Sequence, residues 1–433
     1  MSDAAMPAAP GVAFRSGGTS PLLTDARLRR PLVALAALNF FLADARDGLG
    51  PFLDAYLATH GWSSMALGAI ATGGGLLGMI ATPLFGALVD GTRYKRTLVI
   101  VPVILVTIAA LLTLRIPSVA MVIGGQGMTA VVGAVIGPAL IGLTLGVVGE
   151  ARFPDQVSRN EFWNHAGNVL SLAAIYVATA LYGESGIVWL MIATALGAVI
   201  AAAAIDPKRI DHQVARGLAH DDGEPGPSGF TVLLRSRGLI MLAVVLLIFH
   251  FANAPISRLI AQQYSIELGT PFRTTALITG VAQLTMIGAA VLAPLLIRRF
   301  GLAAVFVIGL AALPLRGAIA GGLTGFWTVY PVQFLDGFGA GLLGIVTPVA
   351  AERILSGSGR FNVGLAAVMT VQGIGASLSN IVAGWLVAQG GYGLAYWIHG
   401  MVAVPALVLF VICRHSIAPP RATIQRSGNP ADT

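Results

Sequence analysis

Asn39, Asp44, Arg46, Asp47 and Asp54 all fall within one otherwise apolar run near the start of the chain. Asp44 and Asp47 are three residues apart, so on a helix they share one face. Two carboxylates that close cannot both ionise cheaply. One of them is therefore suited to take up and release a proton. Arg46 lies on another part of the same surface, where it can screen either acid or hold an anionic group. A sealed structural Asp–Arg cluster is the competing reading. A later run carries His250, Asn253 and Arg258; an imidazole titrates in the range that proton transfer needs, and it also serves as an ordinary packing residue. Arg316 and Asp336 sit in consecutive runs at similar depth, which leaves an ion pair and a site role both open. Gln283 and Gln372 are amides that can bind a ligand or join helices. In the stretch from Arg159 to Asn168, Glu161/His165 and Asn164/Asn168 are i, i+4 pairs. This polar stripe reads either as an inner gate or as the interfacial start of a helix anchored by Trp163.

Each ionisable group placed in such a run costs ~2.5–3.5 kcal/mol on insertion scales, which makes it a functional candidate by default. The candidates for proton coupling are accordingly Asp44, Asp47, His250 and Asp336. The candidates for ligand binding are Asn39, Arg46, Asn253, Arg258, Gln283 and Gln372.

The elements that must position these groups are long and apolar. The chain is 56% hydrophobic and 10% charged, with a mean hydropathy of +0.82; soluble domains average about 25% charged residues. A helix of roughly 20 apolar residues crosses a bilayer. Such runs occupy 31–56, 64–90, 97–115, 119–148, 158–183, 187–205, 238–264, 274–297, 301–321, 327–352, 361–387 and 394–413. Their length excludes barrel strands, which run about 10 residues and alternate. Arg115 and Arg273 lie on one side of these runs, and Arg46, Arg258 and Arg316 lie inside them. The other Lys and Arg residues gather on the opposite side. By the positive-inside rule that crowded side is cytoplasmic, with both ends of the chain on it. The net charge of +7 is dispersed in these short loop clusters, so it points to anionic lipid and not to nucleic acid. Residues 1–30 and 414–433 read as polar cytoplasmic tails, the first without the features of a signal peptide. The longest polar stretch between runs, 206–237, divides them into 31–205 and 238–413 as a cytoplasmic linker.

Between the second and third runs the chain reads Gly86-Ala87-Leu88-Val89-Asp90-Gly91-Thr92-Arg93-Tyr94-Lys95-Arg96. This segment resembles the Gly-x-x-x-Asp-x-x-Gly-Arg-Lys/Arg loop signature of the major facilitator superfamily. The six-plus-six layout over residues 31 to 413 is similar as well. Arg93 stands where that family usually has Gly, and Gly91 where it often has Arg. The corresponding stretch of the second half, Pro294 to Gly301, has Arg298 near the acidic position. The resemblance implies an all-α polytopic membrane protein with twelve transmembrane helices in two six-helix bundles. It also implies a conformational latch made by Gly86, Asp90, Arg93 and Arg96, in which Asp90 meets the start of the eleventh helix near Arg360 and Phe361. A solvated, positively flanked loop is the plainer alternative. Gly133-x-x-x-Gly137-Pro138 falls in the fourth run, not the fifth, and Gln126 stands where drug/proton antiporters of this superfamily carry Arg. Both departures argue against that subclass.

Other chemistry is poorly supported. Gly339-x-Gly341-x-x-Gly344 matches a dinucleotide fingerprint in form, but it lies inside an apolar helix and follows no strand. The sequence holds no phosphate-binding loop of the Gly-x-x-x-x-Gly-Lys-Ser/Thr type, no Gly-x-Ser-x-Gly elbow and no His-Glu-x-x-His pair. A single cysteine, Cys413, excludes an internal disulfide. No cofactor, metal or enzymatic activity is expected. The expectation is a secondary transporter moving a small polar or zwitterionic organic solute by alternating access, driven by protons, with export the favoured direction. Membrane lipid is the surrounding partner, and a monomer is expected. The alternatives are an anion exchanger or uniporter in which Arg46 and Arg258 bind the solute, and a transporter-like sensor that moves nothing. The Ala-, Gly- and Arg-rich composition suggests a bacterial inner membrane.

Overall fold

Long apolar segments have no water with which to satisfy their backbone, so they close their hydrogen bonds within helices. The computed structural model describes residues 26–45, 49–149, 152–212, 215, 231, 234–355 and 361–419. The first half comprises α1 (Ala26–Ala45), α2 (Pro51–Thr59), α3 (Ser64–Gly91), α4 (Thr97–Arg115), α5 (Val119–Gly133), α6 (Ile136–Val148), α7 (Phe153–Tyr182) and α8 (Glu184–Ala203). The second half comprises α9 (Arg237–Leu268), α10 (Pro271–Phe300), α11 (Leu302–Gly322), α12 (Val329–Ile354) and α13 (Phe361–Ile417). Among the described residues, ten helical stretches are long and apolar enough to cross a membrane. The last of them folds back on itself and the interrupted α1–α2 pair adds a crossing, so twelve transmembrane helices form two six-helix bundles.

Glycine and proline decide where the helices break. The run 31–56, expected as one helix, is two. A proline has no N–H, and in an unbroken helix its ring would clash with the carbonyl four residues earlier; Pro51 starts a new helix behind Gly50, whose φ is 43°. The run 119–148 is likewise divided, at Ala134–Val135. Pro138 lies four residues past Ala134 and imposes the same clash there. Within α13 the backbone leaves helical geometry at Gly390 and at Gly391, whose φ is 76°, a conformation open chiefly to glycine. The chain reverses at this point. Gly384 lies against the Ser64 backbone at one end of the molecule, and Ser416 lies against Gly238 at the other.

We call the end holding the start of α1 and the finish of α13 the tail end, and the opposite end the far end. Each half has its own apolar core. A third cluster at the far end joins α2 to α10, with the Tyr56 and Phe272 rings stacked at 5.6 Å. Other contacts between the halves run from mid-bundle to the far end. Ser64 donates to Gln262 at 2.8 Å, Thr72 donates to the Ser377 carbonyl at 2.7 Å, and Arg273 lies over the Tyr176 ring. Toward the tail end Leu84 on α3 is 69% exposed and Met369 on α13 54%.

The loop between α3 and α4 secures the tail end of the first half. Lys95 is fully buried and donates to the Val89 carbonyl at 2.7 Å. Arg96 donates to the Ala203 carbonyl at 3.1 Å, closing α8. Both cations therefore meet the negative ends of helices. Arg93 is exposed. The side chain of Asp90 and Arg360, its expected partner, lie outside the described residues. After α8 the chain docks against the first half, with Ile210 buried and the Asp211 N–H donating to the Gly146 carbonyl at 2.8 Å.

The α3–α13 seam depends on backbone-close approach at Gly68, where an added Cβ would overlap the Asn380 carbonyl. Gly68→Val is expected to cost ~1–3 kcal/mol as an overpacked contact. A lower melting temperature of the detergent-solubilised protein would register it, and an unchanged one would refute the close seam.

Candidate functional site

Two arginine-centred clusters lie inside the molecule, both reached from one turn of α9, the first of them toward the far end. An apolar helix bearing Asn253, Ser257 and Arg258 places the first two, four apart, on one face, with Arg258 turned to the next.

The first cluster joins the halves. The Arg258 guanidinium forms an ion pair with the Asp54 carboxylate on α2. It also donates to Asn380 Oδ1 on α13 and to the Leu67 carbonyl on α3, the latter at 3.4 Å. Asp54 and Arg258 are 16% and 19% exposed. Both line a cavity of about 510 Å³ bounded by α2, α3 and α5, with Gln126 on its wall. A cavity that presents a carboxylate, a guanidinium and an amide can take a small polar solute.

The second cluster lies wholly within the second half. Arg316 on α11 is 1% exposed and pairs with Asp336 Oδ1 on α12 at 2.9 Å. Its guanidinium also donates to Asn253 Oδ1 at 2.7 Å, to Ser257 Oγ and to Gln333 Oε1 at 3.3 Å. Ser257 Oγ donates to Asp336 Oδ2 at 2.9 Å, and Asn253 Nδ2 donates to Asp336 Oδ1 at 3.2 Å. Buried charges persist when they are paired and hydrogen-bonded in this way.

The structure thus joins Asn253 with Asp336 and places Arg258 one residue beyond Ser257. It does not bring Asp44 to either cluster. Asp44 accepts a hydrogen bond from Thr194 Oγ1 on α8 at 2.9 Å, inside the first half. Arg46 and Asp47 lie outside the described residues. Asn39 is 3% exposed and donates to the Leu35 carbonyl at 2.8 Å, so it faces the first core. His250 is half-buried on α9, edge-on to the Phe249 ring at 5.3 Å. Gln283 and Gln372 are half-buried on α10 and α13. Glu161 and His165 are exposed, and Asn168 Nδ2 donates to Asn164 Oδ1 at 3.3 Å. Asp54 was named among the charges of the first run without an assigned role, and Ser257, Gln333 and Asn380 were not among the expected site residues. Their signal was helical spacing: Asn253/Ser257 and Gln333/Asp336 are polar pairs on one face of otherwise apolar helices.

A twelve-helix, two-bundle chain with paired charges in its interior is a transporter of the major facilitator type. The chain belongs to the MFS_1 like family, whose model matches residues 32–397. It is 36% identical over 385 residues to an uncharacterized MFS-type transporter of Mycobacterium tuberculosis strain H37Rv, and equally to one of strain CDC 1551. Each comparison covers 88% of this chain and 92% of the relative. Among solved structures, the nucleoside transporter NupG aligns with a TM-score of 0.68 at 17% identity, covering 88% of this chain and 97% of that one. A structure from a study of proton dependent oligopeptide transporters aligns with a TM-score of 0.62 at 13% identity, covering 90% and 98%. The chain is an MFS-type transporter and not an enzyme.

Removing Asp336 leaves Arg316 buried without its counter-charge. Asp336→Leu is expected to destabilise the protein by ~3–5 kcal/mol, while Asp336→Leu with Arg316→Met restores most of the loss. Thermal unfolding of the two variants checks this; equal losses in both would contradict it.

Proposed function

We propose that this transporter moves a small polar or zwitterionic organic solute by alternating access, coupled to protons, across a bacterial inner membrane with both chain termini in the cytoplasm. The observation that carries this reading is the Asp54–Arg258 ion pair, which ties α2 of one half to α9 of the other at the edge of the cavity. With the far end outward, the contacts of Asp54, Ser64 and Tyr56 across the halves support reading this conformation as closed to the outside. The ion pair is made when the outer side closes and broken when it opens. Protonating Asp54 removes the charge that Arg258 needs, so it favours the outward-open arrangement. A ligand shifts such an equilibrium by its differential affinity for the two states, and the proton is the ligand here. A solute bearing both charge signs can meet Arg258 and Asp54 in the open state. The structural neighbours described as nucleoside and oligopeptide transporters accord with solutes of this size and polarity. Asp336 and His250 on the second-half side of α9, and Asp44 on α1, remain the further proton-binding candidates of this scheme.

Paired spin labels test the cycle without a known solute. On a Cys413→Ser background, labels at His60→Cys and Leu268→Cys report the far end, and labels at Tyr94→Cys and Phe300→Cys report the tail end. Asp54→Asn is expected to lengthen the far-end distance and shorten the tail-end one, shifting the populations about tenfold, or ~1.4 kcal/mol. Lowering the pH should do the same in the wild type and have a much smaller effect in Asp54→Asn, any remainder coming from the other proton-binding candidates. Distances insensitive to both changes would defeat the proposal. Uptake of uridine and of dialanine into proteoliposomes, with and without an imposed proton gradient, then tests the solute class and the coupling.

A further inference from the structure

The lipid-facing side of α1 carries a feature that the transport site does not use. Val33, Ala37 and Phe41 are spaced four apart and form one stripe along the helix. A hollow of about 790 Å³ lies between this stripe and α8, lined also by Arg30, Gly197, Ile200 and Ala204. A second hollow of about 360 Å³ lies between the same stripe and α7, lined also by Phe40, Arg159 and Trp163. The hollows share the three stripe residues, so they are the two flanks of one ridge. Val33 is 62% exposed and Ile200 59%, leaving apolar surface that no other part of the described chain covers. In a bilayer the medium that meets such a surface is acyl chain.

Charge marks the tail-end mouth of both hollows. Arg30 lies one turn before Val33 on α1. Helices α1 and α7 run in the same direction, with Gly167 against Phe40 and Ala43. Two turns back from Gly167, Arg159 therefore lies beside the first turns of α1, on the other flank from Arg30. Arg159 Nη1 is buried and has no hydrogen-bond partner among the described residues. A buried donor left unmade is costly, and an anionic oxygen supplied from outside the chain would satisfy it. The acid nearest on α1, Asp44, lies at the other end of the stripe, held by Thr194. Basic pockets between transmembrane helices at the cytoplasmic side are suited to anionic lipid headgroups.

We infer that this groove binds one anionic phospholipid, its phosphate between Arg30 and Arg159 and its two acyl chains straddling the Val33/Ala37/Phe41 ridge. The ridge between two apolar hollows matches a two-chain lipid, and the flanking guanidinium groups match a phosphodiester.

The test uses the full-length protein, delipidated in detergent and titrated with phosphatidylglycerol or phosphatidylcholine, with bound lipid read by native mass spectrometry. The wild type is expected to retain phosphatidylglycerol in preference to phosphatidylcholine. Arg159→Gln should weaken that binding about tenfold, as loss of a charged hydrogen bond does, and Arg159→Lys should weaken it less. Ala204→Trp fills one hollow without changing charge and should also weaken it. Arg115→Gln, at the opposite end of the molecule, should leave it unchanged. Equal retention of the two lipids, or full phosphatidylglycerol binding by both Arg159→Gln and Ala204→Trp, would overturn the site. Complete displacement by glycerol phosphate would overturn the role of the acyl chains and leave a phosphate site alone.

Discussion

The Arg258 guanidinium has to be satisfied from both halves at once. It sits within a long apolar helix, where an unpaired charge is expensive, and among the described residues its own half supplies the Asn380 amide. The carboxylate of Asp54 and the carbonyl of Leu67 come from the other half. Asp54 can reach it because Pro51 ends one helix and starts another, so that α2 need not continue the line of α1. The break in the first crossing and the closure of the far end are therefore parts of one arrangement. Glycines complete it, since Gly68 and Gly384 let α3 and α13 approach closely enough for Thr72 to bond the Ser377 backbone.

The two halves handle their internal charges differently. In the second half, Arg316 and Asp336 are paired and held by Asn253, Ser257 and Gln333, all from α9, α11 and α12. In the first half, Asp44 is held by a hydroxyl on α8, and the polar bonds of Gln156, Asn160 and Thr144 tie α7 to α6. Neither set crosses the seam. Crossing interactions among the described residues include Arg258 with Asp54 and the Leu67 carbonyl, and Ser64 with Gln262 and Tyr392. They also include Thr72 with the Ser377 and Ile381 backbone and Arg273 over the Tyr176 ring, in addition to apolar packing. In the proposed cycle these are the contacts that rocking of the halves would break.

Hydropathy, charge placement and the loop signature after the second run made the architecture legible, because backbone hydrogen bonding in lipid leaves helices and closed barrels and runs of this length exclude barrel strands. Pro51 and Pro138 are legible as helix-kinking residues, but an apolar average does not say which proline divides a span, since Pro255 and Pro348 stay inside continuous helices. The site was partly legible. Intramembrane charge singled out Asp336 and Arg258, and it equally singled out Asp44, which faces α8 and not the cavity. Composition says that a charge in a span needs a partner; only the packing of the helices says which partner, and on which face. Arg316 and Asp336 showed this, since their similar depth allowed an ion pair without requiring one.

Ser257 and Arg258 are neighbours in the chain and belong to different clusters. Ser257 bonds Asp336 and receives from Arg316, so the buried network fixes the rotation of α9 about its axis. That rotation aims Arg258 away from its own half and toward Asp54. All members of the network belong to the second half, so in the proposed cycle its bonds can persist when the halves part. The contacts that differ between the two states of that cycle are the ones that cross the halves, the Asp54–Arg258 pair and the α3–α13 seam among them. The buried network is thus the mount on which the switching contact is carried. Weakening it would loosen the aim of Arg258 in every conformation, whereas weakening Asp54 would favour one conformation over the other.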